Sequence, residues 1–128
     1  MRQFAVVLIL ICGIGPVWAQ QNWTPTKEDV DTFEAVVHLP DWGNSTQYPN
    51  GHIPATSEFA RYCAGILSNG PRILLAEFAG TGGQQSGTHI VTTPRAFPLI
   101  ADGGCHIVHI RYDIDTRQIL SLECNGFA

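Results

Sequence analysis

The chain has 128 residues and a formal net charge of −4, from 7 Lys or Arg against 11 Asp or Glu with the five histidines neutral. That length holds one domain with a modest core. Lys27, Arg61, Arg72, Arg95, Arg111 and Arg117 are scattered and form no basic stripe, which disfavours nucleic acid as a partner.

At the N-terminus Arg2 precedes the apolar run Phe4 to Cys12, which is too short to span a bilayer comfortably, and Val17-Trp18-Ala19 offers a peptidase site. This layout predicts a secretory signal peptide over residues 1–19 and one small globular domain over residues 20–128. A lipoprotein signal acylated at Cys12 is disfavoured by Ile11, where a small residue is wanted, and an uncleaved anchor is the other alternative. Cleavage after Ala19 leaves six basic and eleven acidic residues, a net charge of −5. The expectation is an exported protein, periplasmic or secreted, with no membrane attachment once the signal is removed.

Residues 20–23 read as a loose start. In TPTKEDVDTFEAVVHL, Thr24 before Pro25, or Thr26 with Asp29, is suited to cap a helix. Glu28 and Asp29 match the positive end of its dipole. Val30, Phe33 and Val37 then form an apolar stripe at helical spacing, and Pro40 ends the element. Residues 39–56, with three prolines, two glycines and two asparagines, read as a long irregular loop. Trp42 and Tyr48 within it either cover the core or form a binding surface.

Residues 57–67 fit two descriptions. Phe59, Cys63, Ile66 and Leu67 lie at helical spacing behind a Ser57 cap, yet Ser68-Asn69-Gly70 and the apolar run RILLAEF at 72–78 follow directly. A hairpin of two strands is favoured, with a turn wider than two residues because of Pro71. Residues 80–87 form a glycine-rich loop without the Lys-Ser/Thr pair of a phosphate cradle. Thr88 to Thr93 suggests a short strand, Pro94 and Pro98 break the chain, and Asp102-Gly103-Gly104 reads as a turn.

The last segment carries most information. CHIVHIRY (105–112) and RQILSLEC (117–124) read as two strands around the loop Asp113-Ile114-Asp115-Thr116. In that alignment Cys105 faces Cys124, His106 faces Glu123, Ile107 faces Leu122 and His109 faces Leu120. Opposed strand positions bring Cβ atoms close enough for a disulfide, and an oxidising compartment permits it. The alternative is a pair of reduced, buried thiols. Cys63 is left over as a buried free thiol.

No H-x-H pair, C-x-x-C or G-x-S-x-G motif is present, so the sequence points to no metal, no cofactor and no assembled catalytic motif. A zinc site gathered from distant histidines is a lesser alternative. His106 beside Glu123, with Asp102 near in sequence, is the best local acid/base group. The bland reading of that pair is a cross-strand polar contact on a solvent face. His109 reads as a partly buried core histidine.

The tail FPLIADGGCHIVHIRYDIDTRQILSLECNGFA resembles small exported bacterial proteins of unknown function that end in a DGGC…YD…CNG pattern. Asp102 to Cys105, Tyr112-Asp113 and Cys124-Asn125-Gly126 carry the match, over about a quarter of the chain. The resemblance implies a periplasmic or secreted location and supports the hairpin; it implies no activity.

The expected fold is α+β: one N-terminal helix packed on a small antiparallel sheet of hairpins, with a disulfide closing the last one. The expected role is non-enzymatic binding, with an envelope or extracellular protein as the possible partner. An inhibitor or immunity-type protein is one form of it. A small hydrolase using His106 or His109 with Glu123 or Asp102 is the alternative.

Overall fold

The computed structural model describes residues 21–39, 55–67, 69–80 and 85–126. Strand β1 (Gln21–Trp23) leads into helix α1 (Lys27–Val36), then come β2 (Ala60–Leu67), β3 (Arg72–Ala79), β4 (Gly87–Ile90), β5 (Ile107–Asp113) and β6 (Gln118–Cys124). The sheet order is β1-β2-β3-β5-β6 with antiparallel neighbours, and β4 also lies beside β2. The fold is α+β, one helix on one sheet.

Thr26, not Thr24, caps α1. Its hydroxyl accepts from the Asp29 amide at 3.1 Å, and the Asp29 carboxylate accepts from the Thr26 amide at 2.9 Å. This reciprocal pair satisfies two of the helix's free donors. Val30, Phe33 and Val37, the stripe read from the sequence, are buried against the sheet with Cys63, Leu74, Ala76, Phe78, Val108, Ile110 and Tyr112. The Phe33 ring lies 5.2 Å from that of Tyr112 and 6.1 Å from that of Phe78. Burial of such side chains contributes about 2 kcal/mol each, and this is the main bond between the layers.

Residues 60–67 are strand because both edges of the segment are used. β3 pairs along the whole of β2, while β1 takes the outer edge at Gly65–Leu67 and β4 takes it at Ala60–Cys63. A helix there would leave one edge of RILLAEF unpaired. Residues 21–23 are therefore not a loose start. The Trp23 indole lies over Gly65 and donates to the Ile66 carbonyl at 3.0 Å. A Cβ at Gly65 would fall 2.5 Å from Trp23 Cε2. β4 is shorter than its sequence suggested and runs parallel to β2. β3 already has β2 and β5 on its two edges, so a following strand has to cross to the edge of β2 that the short β1 leaves open.

The C-terminal hairpin exists, but its register differs from the one read from the sequence. Val108 pairs with Cys124, His109 with Glu123, Ile110 with Leu122, and Tyr112 with Ile119, with Leu120 left as a bulge. The Leu120 bulge accounts for one residue of the shift and a later turn for the other two. Asp113 does not belong to the loop: its carboxylate accepts from the Asp115 and Thr116 amides at 2.9 and 3.1 Å, which starts the turn one residue later. At the other end Gly103 and Gly104 take φ of 99° and 53° and place Cys105 in a single 3-10 turn, Gly104–His106, ahead of the strand. The disulfide Cys105–Cys124 forms from that turn, with the two Cα atoms 4.6 Å apart. Cys63 is a buried free thiol, and burial pushes its pKa up to about 12.

Candidate functional site

Side chains alternate across a strand, so one row of the register presents one face. The row Tyr62–Glu77–His109–Glu123 points away from α1, and His89 of β4 extends it, stacked on Tyr62 at 4.9 Å. The 91–106 connection passes over this face. Phe97 approaches the Tyr62 ring at 6.5 Å, and the Ile100 and Asp102 carbonyls accept from Asn125 Nδ2 at 2.7 and 3.0 Å. Glu77 lies between those two points and is 4% exposed.

This arrangement replaces the pair read from the sequence. His106 is not opposite Glu123. It sits in the turn before β5, where its carbonyl accepts from the Gly80 amide at 2.6 Å. Glu123 is exposed and lies opposite His109. His109 is not on the apolar face; its side chain is 46% exposed. Asp102 contributes its backbone carbonyl to Asn125, while the residue itself stays exposed. Trp42 and Tyr48 lie outside the described residues, as does the segment 1–19.

The ring of His109 is held from both sides. Asn125 spends both amide hydrogens on the two carbonyls, so its Oδ1 faces the ring and accepts from Nε2 at 2.6 Å. Nδ1 then faces Glu77 Oε2 at 3.7 Å. The other Glu77 oxygen is buried with no hydrogen-bond partner. Burial raises the Glu77 pKa above the ordinary carboxylate value, and the His109 charge partly opposes this. A histidine so clamped positions the 100–102 segment against the hairpin, with Nε2 engaged by Asn125.

A second group of residues lies at the opposite face. Between the first turn of α1 and the β5–β6 turn, a cleft of about 270 Å³ is lined by Glu28, Asp29, Arg72, Tyr112, Asp115 and Arg117, among others. Arg72 donates to Asp115 at 2.8 Å and its guanidinium stacks 5.5 Å from the Trp23 ring. The pair holds Asp115 below the usual carboxylate range, chiefly through the hydrogen bond. Tyr112 is 1% exposed, and its hydroxyl is buried with no partner. Desolvation raises its pKa, while the nearby Arg117 charge lowers it. An unpaired buried hydroxyl costs about 1–3 kcal/mol, so its presence beside an open cleft calls for a reason.

Sequence reading missed this cleft because its members come from 28–29, 72, 112 and 115–117. The available signal was the acidic first turn of the helix, already assigned to capping. Glu77 carried a clearer one: a lone carboxylate in the middle of the apolar run RILLAEF.

No protein-family model matches the chain, and neither a curated protein nor a solved structure matches it. Among the described residues, no three His, Cys, Asp or Glu side chains are grouped to hold a metal ion. No helix among them is long and apolar enough to cross a membrane.

Proposed function

We propose that this chain is an exported binding domain, not an enzyme, and that it takes its ligand in the cleft over Tyr112. The observation that carries this reading is the Tyr112 hydroxyl, buried without a partner beside a polar opening between the helix layer and the sheet. A ligand group completes it. The competing acid/base reading rests on His109, and the Asn125 clamp on Nε2 speaks against it. Export is supported by the leader-like first 19 residues and by the Cys105–Cys124 bond. The tail's resemblance to small exported proteins points the same way.

The test is native mass spectrometry of the purified exported protein after exposure to the small-molecule fraction of its own cells' envelope. The reading predicts a discrete mass increment that Arg117→Gln removes and His109→Gln leaves in place. A component consumed catalytically by the wild type and spared by His109→Gln would replace binding with catalysis.

A further inference from the structure

The charge inventory of the cleft narrows what it can hold. Three carboxylates and two guanidinium groups line it. Arg72 and Asp115 neutralise each other through their 2.8 Å bond. Asp29 is committed to the Thr26 amide as the second half of the capping box. Among the described residues this leaves one acid without a partner, Glu28, and one base without a partner, Arg117, together with the unpartnered Tyr112 hydroxyl. Glu28 and Arg117 are both exposed and meet a ligand directly, whereas contact with the Tyr112 oxygen requires the cleft wall over it to shift.

A bare anion entering here gains Arg117 but meets the uncompensated Glu28. A bare cation gains Glu28 but meets Arg117. A molecule with one charge of each sign satisfies both, and the hydroxyl of Tyr112 adds a hydrogen bond to its carboxylate. Size narrows the choice further. At roughly 30 Å³ per water-sized group, 270 Å³ accommodates about nine such groups. A free amino acid fills a space of that size.

We propose that the cleft binds a free α-amino acid, its carboxylate on Arg117 and Tyr112 and its ammonium on Glu28. This inference rests on the cleft being the ligand site and names the ligand's class. Ile114, which also lines the cleft, gives an apolar side chain a surface to lie on, so leucine is the probe of choice, with alanine, glutamate and lysine beside it. The Trp23–Arg72–Asp115 stack holds one wall in place before the ligand arrives, which limits the ordering cost of binding.

The experiment is a titration of the isotope-labelled exported protein followed by NMR. L-leucine is compared with N-acetyl-L-leucine, which lacks the ammonium group, and with L-leucine methyl ester, which lacks the carboxylate. The proposal predicts saturable shifts at Glu28, Tyr112 and Arg117 with the free amino acid, and at least about tenfold weaker binding of both blocked forms. Arg117→Gln removes the discrimination against the ester, and Arg117→Lys restores part of it. Glu28→Gln removes the discrimination against the acetylated form. Equal binding of a blocked form and the free amino acid overturns the zwitterion and leaves the cleft as a ligand site. Absence of shifts at these residues with every probe overturns the amino acid. If the mass-spectrometric increment is also missing, the cleft itself is overturned as a ligand site.

Discussion

Replacing Tyr112 with phenylalanine separates a ligand group from a structural one. The ring is fully packed, 5.2 Å from Phe33, and phenylalanine keeps that contact and its volume. What disappears is a hydroxyl that is buried and unpaired. Mutational data put the cost of such a group at about 1–3 kcal/mol. Taking the low end, because water reaches the adjoining cleft, Tyr112→Phe raises stability by about 1 kcal/mol. For a domain of this size that raises Tm by roughly 5 °C. Urea unfolding followed by tryptophan fluorescence measures it, with an unchanged slope required for the comparison. The folded-state pKa of Tyr112 is raised by burial, so the wild type loses stability as pH rises above the ordinary tyrosine value of 10.0, and the gap between the two proteins widens there. In saturating amino acid the gap closes: at a hundred times Kd the wild type gains about 2.7 kcal/mol, and the variant, which lacks one of the three contacts, gains less. Destabilisation by about 1 kcal/mol or more in the absence of ligand would refute the reasoning, since it would mean that the hydroxyl already has a partner.

Three other perturbations probe the frame around the cleft. Replacing both Cys105 and Cys124 with alanine reopens a loop closed across 19 positions and lowers stability by about 3 kcal/mol in the chain-entropy account, read from urea midpoints; a loss under about 1 kcal/mol would contradict it. Gly65→Ala drives a methyl group into the Trp23 ring and backbone, so β1 lifts from β2 and stability falls by about 1–3 kcal/mol, with the Trp23 emission shifting to the red. Glu77→Gln tests the buried carboxylate. Its folded pKa is raised, so the stability it confers is present below about 4.5 and is lost as pH rises through the folded value. The wild type minus Glu77→Gln difference should therefore turn against the wild type on going from acid to neutral pH, and a flat difference would show that the group is solvated.

The features legible in the sequence are those set by local chemistry. The α1 stripe of Val30, Phe33 and Val37 follows from helical spacing, and all three side chains are buried. The β2–β3 hairpin follows from two apolar runs around Asn69-Gly70, where φ is positive at both residues. The Cys105–Cys124 bond was correct although its register was not. The bond required only that the two ends of the hairpin meet, whereas the register depended on an Asx turn at Asp113 and on the bulge at Leu120. A pairing rule that assumes regular strands has no access to either. The parallel placement of β4 was hidden because it depends on which sheet edge remained open, a property of the assembled fold.

The candidate sites divide along the same line. His106 with Glu123 was a product of the mistaken register; moving the alignment by three residues substitutes His109 and brings in Glu77 from β3, which no hairpin alignment contains. The Tyr112 cleft joins four stretches separated by up to 89 positions, and none of them carries a motif. Its signature is a mismatch between burial and hydrogen bonding, which is a property of coordinates and not of composition.

The most direct measurement is a crystal of the protein soaked in L-leucine. The account predicts difference density over Tyr112, with the ligand carboxylate within hydrogen-bond reach of the hydroxyl and of Arg117 and its ammonium beside Glu28, while Asn125 keeps its hold on His109. An empty cleft with density instead at the Glu77–His109 face would contradict it.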